Sequence, residues 1–532
     1  MVGRLLLLGL LFTMPAVAAS REHTDSWQPT RYSPAQQYSP SPAPERIVLS
    51  WSDDPATTQS VTWRTDTSVK RAVAEIAVAN ANGYALEPER FEATTTLFKS
   101  DLNEAHYHSL TFQDLTPKTL YAYRVGDGEN WSEYLHFRTA SARPEPFSFI
   151  YFGDAQNDVR MHWSRVFREA FREAPRAAFS LHAGDLINTH FRDAEWGGWH
   201  AGPAWVNGTI PVIATPGNHE YYAAGAGPRN ERYWTAKDGS AVAVVVDFAE
   251  LKNEDGKVLY RLIAKDDQAG TATLEYDGGK IVSAEGTNAV LGYDPTEVIG
   301  TDLRKAPLND RPRKEGEPTV SAHWRHQFAF PIQKPPKGLE ETVYYTDYQG
   351  VRFISLDSNR DQQAQIPWLR RALARNPNRW TIVTFHHPIF SPAFDRDNEE
   401  LRALWKPVLD EYKVDLVLNG HDHTYARTGA LGSSSGVTNV PTGYQQAYNP
   451  EIGTVYVVSV SGPKMYPINK GNYAKRVAEN TQLYQVIEVF DSELKYKAYT
   501  ATGELYDAFM LEKRDDKPNR LQELLPPERR AG

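Results

Sequence analysis

Residues 414–427 of this 532-residue chain read VDLVLNGHDHTYAR, an apolar run that ends in a glycine and two closely spaced histidines. The run from Val414 to Leu418 has the length and composition of a buried strand. His421 and His423 follow within one turn. Because open α/β sheets carry their sites at the carboxyl ends of strands, this stretch predicts a functional sheet edge.

Four earlier turns repeat this arrangement of an apolar run followed by a short polar motif. They are Gly153-Asp154-Ala155-Gln156, Gly184-Asp185, Gly217-Asn218-His219-Glu220 and His386-His387-Pro388. Together the five turns offer carboxylate, carboxamide and imidazole groups without a thiolate, a ligand set that suits iron, manganese or zinc. One carboxylate between two ions can hold them about 3.5 to 4 Å apart, as in two-metal phosphatases. The sequence therefore predicts a two-metal site.

Amphipathic segments separate these strands. Apolar residues recur at helical spacing over 163–174 and again over 401–412. Strands that alternate with helices indicate βαβ units and a largely parallel sheet, so we expect an α/β fold. Residues 45–140 differ, because short runs with period-two alternation and intervening turn residues predict an all-β sandwich there. The runs that predict its strands are 47–51, 60–65, 72–78, 107–112, 121–125 and 134–138.

The order Asp154, Asp185, Asn218-His219, His386 and His421-x-His423 resembles the metallophosphoesterase (calcineurin-like) superfamily. The preceding sandwich, together with the run GHDHTYAR at 420–427, is similar to the purple acid phosphatases in particular. Residues 115–125 resemble a fibronectin type III signature, with Tyr121 as its corner tyrosine. The resemblance covers about 44–510 apart from an insertion. It implies a four-layer α/β/β/α metallophosphoesterase sandwich preceded by an all-β fibronectin type III-like domain.

The same resemblance implies a role for each motif residue. Asp154 and His423 would bind a first metal, Asn218, His386 and His421 a second, and Asp185 would bridge the two. Related proteins carry a histidine where this chain has Gln156, so the first metal keeps at most a weak amide oxygen there. His387 is expected to pack beside the site rather than bind metal.

The implied activity is that of an acid phosphatase-type phosphomonoesterase in which a metal-bound hydroxide attacks phosphorus. His219 would bind the scissile phosphate and protonate the leaving oxygen. Asn188, His190 and Arg427 are either ester-binding residues or ordinary surface or structural ones. Purple acid phosphatases carry a metal-binding tyrosine in a Gly-Asp-x-x-Tyr arrangement, where this chain has Asn188. We therefore expect the visible charge-transfer colour to be absent.

Charge and the N-terminus constrain partners and location. A net charge of −9 argues against nucleic acid as main partner and leaves a small phosphate ester as substrate. Residues 1–19 read as a signal peptide, with Arg4 ahead of an apolar run too short to span a membrane, so no membrane span is expected after its removal. The absence of cysteine favours a bacterial periplasm over a eukaryotic secretory route. The oligomeric state stays open.

The remaining segments are assigned by composition. Residues 20–44 are rich in proline and serine and read as an extended linker, and 145–512 as the metallophosphoesterase domain. The strand and helix rhythm breaks into β-leaning segments at about 235–321, which predicts an inserted subdomain that is either a lid over the metal cleft or a stabilising flap. Residues 513–532 read as a loose charged tail.

Other functions remain compatible with parts of this pattern. A phosphodiesterase would use the same metal core, and an exported binding scaffold would use the sandwich with an inactive phosphatase domain. The complete ligand set argues against the scaffold. Amidohydrolases and metallo-β-lactamases carry their paired histidines early in the chain or in a His-x-His-x-Asp-His run, whereas the pair here is late and continues as Thr424-Tyr425.

Overall fold

The computed structural model describes residues 33–222, the strands and one turn between 231 and 310, and 318–391, 393, 396, 398–428, 453–468, 474–515 and 517–525. The predicted signal peptide and residues 20–32 of the predicted linker lie outside these ranges. No helix among the described residues combines the length and apolar character needed to cross a bilayer.

The N-terminal domain is a sandwich of two four-stranded antiparallel sheets, with strand orders β1-β2-β6-β5 and β4-β3-β7-β8. Its strands are β1 Glu45–Ser50, β2 Gln59–Thr65, β3 Val73–Val78, β4 Glu89–Glu92, β5 Thr94–Lys99, β6 Glu104–Phe112, β7 Leu120–Gly126 and β8 Leu135–Arg138. The Tyr121 hydroxyl accepts a hydrogen bond from the Thr116 amide at 2.8 Å, which is the expected tyrosine corner. The sequence patterns missed β4 and β5, because both are largely exposed and carry no alternating apolar face.

The remaining strands and the helices follow in chain order. The strands are β9 Phe147–Phe152, β10 Ser180–His182, β11 Val212–Ala214, β12 Tyr221–Tyr222, β13 Glu231–Thr235, β14 Ala241–Val245, β15 Ala249–Lys252, β16 Val258–Asp266, β17 Gly270–Asp277, β18 Lys280–Glu285, β19 Leu308–Asp310, β20 Thr319–Val320, β21 Tyr344–Tyr348, β22 Val351–Ser355, β23 Trp380–Thr384, β24 Leu416–Asn419, β25 Tyr425–Thr428, β26 Val455–Val458, β27 Ala474–Ala478, β28 Leu483–Val489, β29 Glu493–Thr500, β30 Leu505–Glu512 and β31 Arg520–Glu523. The described helices are α1 Pro34–Gln37, α2 Ser164–Glu173, α3 Asp193–Ala201, α4 Ala322–Gln327, α5 Gln362–Ala374 and α6 Glu399–Glu411.

Two seven-stranded mixed sheets form the second domain. Their orders are β11-β10-β9-β28-β29-β30-β31 and β21-β22-β23-β24-β26-β25-β27. The strands that precede the metal motifs run parallel in each sheet, β9 to β11 in the first and β23 and β24 in the second. The first sheet is completed by antiparallel strands from the C-terminal part of the chain.

Period-two alternation explains how these sheets pack between helices. Phe149 points to the opposite sheet, where its ring lies 5.2 Å from that of Phe353. Phe152, three residues on, points to the other face and stacks on Phe167 of α2 at 5.2 Å. On the second sheet, Val417 packs in the cluster formed with α5 and α6. The predicted four-layer α/β/β/α sandwich is thereby confirmed.

The insertion leaves the domain immediately after the motif that ends in Glu220. Its neck is the antiparallel pair of β12 and β20. Beyond the neck, the described strands form one three-stranded sheet, β14-β13-β19, and one four-stranded sheet, β15-β16-β17-β18. The β-rich character predicted for 235–321 is therefore present, whereas its role as a lid stays a prediction.

Two boundary expectations need correction. The predicted loose tail contributes Arg520–Glu523 to the first sheet, where it pairs with β30. The predicted extended linker forms the short helix Pro34–Gln37, capped by Ser33. Tyr38, which follows this helix, is docked on the N-terminal sandwich, since its carbonyl accepts a hydrogen bond from Arg64 of β2 at 2.9 Å. Charge and proline content do not reveal such long-range pairing.

Candidate active site

All five predicted motifs meet at one edge of the two sheets. Four of their non-glycine residues adopt the left-handed backbone region, namely Asp154 (φ 43°), Asp185 (φ 52°), His421 (φ 76°) and His423 (φ 45°). This conformation is costly for residues other than glycine and persists where the surrounding structure enforces it, often at functional sites. The turns thus aim these side chains at one point.

Glycine precedes three of these residues, and Gly420 and Gly184 show how it permits the close approach of the turns. A Cβ atom on Gly420 would lie 2.3 Å from Oδ2 of Asp154, a carboxylate that also accepts the His421 amide at 2.6 Å. Gly184 has a φ of 87°, which other residues rarely adopt. A side chain at either position would push the motifs apart.

Asp185 is the centre of the arrangement. Its ligand atoms group with those of His386 and His421 on one side and with those of Asp154 and His423 on the other, all within 4.8 Å in each group. Oδ2 of Asp185 lies 3.2 Å from Nε2 of His386. One carboxylate is thus shared by two potential metal sites.

Asn218 completes the group on the His386 side. Its Oδ1 lies 3.1 Å from Nε2 of His386 and 3.0 Å from Nδ1 of His421. Backbone carbonyls orient two of the imidazoles, since Nδ1 of His386 donates to Ala183 O at 2.8 Å and Nδ1 of His423 to Lys464 O at 3.0 Å. The Nε2 atoms of both rings therefore face inward, which is how metal-binding histidines are commonly held.

Burial and charge act together on these groups. Burial lowers the pKa of His421 well below its usual value and that of His423 to about 3, so both rings are neutral, as metal binding requires. Burial also opposes charge on His386, yet Asp185 and Asp154 raise its pKa to about 9. Although burial works against it, His386 and His219 hold the pKa of Asp185 well below its usual range. Asp185 thus favours a cation at this point, whereas burial and the neighbouring Asp185 raise the pKa of Asp154 well above its usual value.

The polar atoms of the site fit a pair of metal ions. Oδ1 of Asp154 and Oε1 of Gln156 are buried and have no hydrogen-bond partner among the described residues. Such atoms cost free energy unless a cation or water satisfies them. Carboxylate, amide and imidazole donors without thiolate match iron, manganese or zinc.

Gln156 lies in this site with its amide nitrogen turned inward. Nε2 donates to Oδ2 of Asp185 at 2.7 Å and lies 3.2 Å from Nε2 of His423. A half-turn of the amide exchanges nitrogen and oxygen, and the two are distinguished only by their hydrogen-bonding partners. Metal contact by Gln156 stays a prediction.

His219 stands at the open side of the centre. Its Nδ1 hydrogen-bonds to the Asn188 carbonyl, and its Nε2 lies 3.9 Å from Oδ2 of Asp185. The side chain is 24% exposed, whereas that of Asp185 is 1% exposed. Nε2 is therefore the atom of this imidazole available to a bound ester.

The sequence reasoning assigned no role to Glu220, although it quoted the motif that ends in it. This buried carboxylate accepts hydrogen bonds from the amides of Asp185 at 2.9 Å, Leu186 at 2.8 Å and Gly217 at 2.6 Å. Burial and the nearby Asp185 raise the pKa of Glu220 to about 8, whereas the amide donors favour the ionised form. Glu220 thus ties the bridging turn to the Asn218 turn. An acid directly after Asn-His in a strand-end turn was the available signal.

Arg427 takes the structural one of the two roles predicted for it. Its side chain is fully buried and donates to Asp507 at 2.6 and 2.9 Å and to Glu523 at 2.8 Å. The guanidinium therefore joins β25 to the C-terminal strands within the protein interior.

Arg396, which the sequence did not single out, lies at the site instead. It contacts His421 and donates to Asp422 at 3.0 Å.

The other proposed ester-binding residues have mainly backbone contacts with the site. Asn188 supplies the carbonyl that orients His219, and its side chain accepts from Asn157 Nδ2 at 2.6 Å. His190 is 3% exposed, and its carbonyl accepts from the Ser321 hydroxyl at 2.7 Å. Ester contact by either side chain stays a prediction.

His387 packs beside the site as expected, with its ring 4.1 Å from that of His421 and Nδ1 at 2.8 Å from the Ser358 hydroxyl.

Two sheets flanked by helices, with aspartate, asparagine and histidine side chains gathered at their carboxyl edge, define a fold and a candidate metal centre of the phosphoesterase class. The chain belongs to the calcineurin-like phosphoesterase family, whose model matches residues 148–328 and 307–425, more than half of the sequence. The purple acid phosphatase N-terminal domain matches residues 44–139.

Individual relatives agree with this family. An acid phosphatase of Aspergillus ficuum is 22% identical over 427 residues, covering 67% of this chain and 66% of the relative. Purple acid phosphatase 15 of Arabidopsis thaliana and an uncharacterised protein of Mycobacterium tuberculosis are 32% and 35% identical over 114 residues. These shorter matches span 20% and 19% of this chain, and only about a fifth (21%) of each relative.

Solved structures show the shared fold. Purple acid phosphatase PPD1 from yellow lupin (Lupinus luteus) superposes with a TM-score of 0.57 at 17% identity, covering 88% of this chain and 74% of that chain. A structure of PhoD superposes with a TM-score of 0.52 at 11% identity, covering 91% and 92%.

Proposed function

We propose that this chain is an exported acid phosphatase that hydrolyses phosphate monoesters with two metal ions drawn from iron, zinc and manganese. One observation carries the proposal: Asp185 belongs to both groups of potential ligand atoms. A shared carboxylate is the feature that turns two neighbouring metal sites into one dinuclear centre. Asp154, His423 and Gln156 would hold one ion, and Asn218, His386 and His421 the other.

Bound at these residues, the ions would activate water and offset charge on the phosphoryl oxygens. The protein's own contribution to bond breaking is His219. As a water oxygen bonds to phosphorus and the bond from phosphorus to the leaving oxygen breaks, His219 in its imidazolium form gives the Nε2 proton to that leaving oxygen. The products are an alcohol, inorganic phosphate and a neutral imidazole whose Nδ1–H still donates to the Asn188 carbonyl. General acid catalysis of this kind contributes a factor of roughly 10² to 10⁴. The carbonyl of Asn188 fixes the ring so that Nε2 faces the ester.

The preference for monoesters is supported by the relatives named as acid phosphatases, including the one that this chain matches over 67% of its length. A phosphodiesterase built on the same centre is the alternative. Kinetic constants for matched mono- and diesters of one alcohol distinguish the two: a higher kcat/KM for the monoester supports the proposal, and a higher value for the diester contradicts it.

The metal centre is tested with Asp185→Ala. We expect wild-type protein to bind two metal ions per chain, and the variant to lose at least one of them together with its activity. Asp53→Ala, an exposed carboxylate in the N-terminal sandwich, is the control and should keep both. An Asp185→Ala protein with two bound metals and normal turnover would contradict the dinuclear assignment.

Export to the periplasm or to the medium rests on the sequence of residues 1–19. Fractionation of cells that express the full chain tests it, and mass spectrometry of the mature N-terminus locates cleavage. Protein that stays in the cytoplasm with an intact Met1 would contradict this part of the proposal.

A further inference from the structure

The N-terminal sandwich reaches the phosphoesterase domain through a buried cluster of charges. Asp193, the first residue of α3, accepts hydrogen bonds from Arg46 at 2.7 and 2.8 Å and from Arg64 at 2.9 Å. The side chains of all three are at most 3% exposed. Because Arg46 and Arg64 lie on β1 and β2, the sandwich holds the N-terminus of α3 directly.

The same helix holds the loop beside the metal centre. Oε2 of Glu195 accepts hydrogen bonds from the amides of Asn188 and Thr189, both at 2.7 Å. The carbonyl of that same Asn188 accepts the hydrogen bond from Nδ1 of His219. A chain of direct contacts therefore runs from Arg46 and Arg64 through α3 to His219.

A second set of contacts holds this loop from its other side. The Ser321 hydroxyl donates to the His190 carbonyl at 2.7 Å, and the Ser321 amide donates to the Glu220 carbonyl at 2.8 Å. His323, two residues on, lies 3.8 Å from Asp193. The loop at 188–190 is thus clamped between two elements that both meet at the charge cluster.

The metal-binding residues are anchored elsewhere. His386 is oriented by the Ala183 carbonyl and His423 by that of Lys464, both inside the phosphoesterase domain. Asp185 has its amide bonded to Glu220 rather than to α3. Disturbing Glu195 should therefore move the carbonyl that orients His219 and leave most metal ligands in place.

We propose that the N-terminal sandwich, acting through Asp193 and Glu195, positions His219 for proton transfer to the leaving oxygen. Both residues act through the Asn188 carbonyl and touch neither metal nor ester, so they are positioning residues. The inference rests on the role proposed above for His219. It gives the sandwich a function in catalysis that is separate from stability.

The leaving group provides the test. An alkyl phosphate needs protonation of its departing oxygen, whereas 4-nitrophenyl phosphate has a stable leaving anion and needs little. For Glu195→Ala we expect kcat on the alkyl ester to fall by about tenfold or more, and kcat on the aryl ester by less than about threefold. Metal content should stay at the wild-type value. Glu195→Gln keeps an amide oxygen as acceptor and should recover part of the loss.

The link to the sandwich is tested with Asp193→Asn, which should show the same unequal loss on the two esters. The matched control is Glu75→Gln, since Glu75 is also a carboxylate held by two arginines of the sandwich, Arg90 at 2.6 Å and Arg124 at 2.7 Å. It makes no contact with α3 among the interactions described. Its thermal midpoint should fall without a change in the ratio of the two rates.

Equal losses on both esters in the Glu195 variants would overturn the inference, as would loss of metal. If Glu195→Ala does not accumulate as folded protein, the Glu195→Gln comparison decides. His219→Ala, measured in parallel, separates this inference from its premise. If His219→Ala itself shows no difference between the esters, the proposed role of His219 fails; if it does and the Glu195 and Asp193 variants do not, only the positioning role fails.

Discussion

Oδ2 of Asp185 lies 3.2 Å from Nε2 of His386, although the two residues follow strands of different sheets. Their contact joins the carboxyl edges of β10 and β23 at the point where the other motif residues converge. Ionic contacts of this kind in a buried site are costly unless further hydrogen bonds orient the partners. The Ala183 carbonyl does so for His386, and the His219 amide, at 2.9 Å from Oδ1, for Asp185.

Glu220→Gln should weaken metal binding, because it replaces one acceptor oxygen of a buried clamp with an amino group facing backbone donors. Loss of a residue that holds the metal ligands without touching the metal typically lowers metal affinity 10- to 100-fold, and we expect a change of about that size. Titration of chelator-treated protein with zinc measures it. Glu411→Gln, at an exposed helix position, is the control. Unchanged metal affinity would show that the two turns hold their geometry without Glu220.

Arg427→Met should lower stability without changing catalysis, because Arg427 is a structural residue. Removing one partner of a buried ion pair costs about 3 to 5 kcal/mol, since Asp507 would be left buried and charged. Unfolding by urea should report this loss, with kcat/KM within about twofold of wild type for the folded protein. Arg370→Met removes an exposed pair with Glu411 and should cost far less, because water screens such a pair. A normal stability with a raised KM would restore the ester-binding role.

Iron-loaded protein should lack a strong visible band, because Asn188 stands where related enzymes carry a phenolate. Tyr221 and Tyr425 do not substitute for it, since their hydroxyls are hydrogen-bonded to Asp357 and Asp507. An absorption spectrum after iron loading tests this. If a band appears, Tyr466, whose ring lies 4.7 Å from that of His423, is the side chain to replace by phenylalanine.

Shortening the insertion should change substrate preference more than metal chemistry, if the insertion acts as a lid. Replacing residues 223–318 with a short turn keeps the neck formed by β12 and β20. We expect such a variant to retain its metals and to hydrolyse a small activated monoester. The kcat/KM values of bulky esters should change strongly relative to that substrate. A folded variant with unchanged relative rates would identify the insertion as a stabilising flap.

Several features of the fold could be predicted because local patterns encode them. Amphipathic spacing over 401–412 predicted the helix Glu399–Glu411, and period-two alternation predicted most strands of the sandwich. The strands β4 and β5 were missed because they are largely exposed. Residues 520–523 were predicted to be loose because their composition is charged. They form a strand because they pair with β30, and no pattern within the segment itself indicates that pairing.

By itself, the sequence determined which residue types stand at the strand ends, and so the kind of centre this protein carries. That information is local: a glycine that permits a tight turn and a polar residue that follows an apolar run are adjacent in the chain. Only the tertiary structure decided that Arg427 is held by Asp507, that Glu220 joins two turns and that α3 connects Arg46 to the loop holding His219. These contacts join residues as far as 147 positions apart. A short stretch of sequence can single out a residue, as the acid after Asn-His does for Glu220, but it does not name the partner, because packing and burial in the folded chain select it.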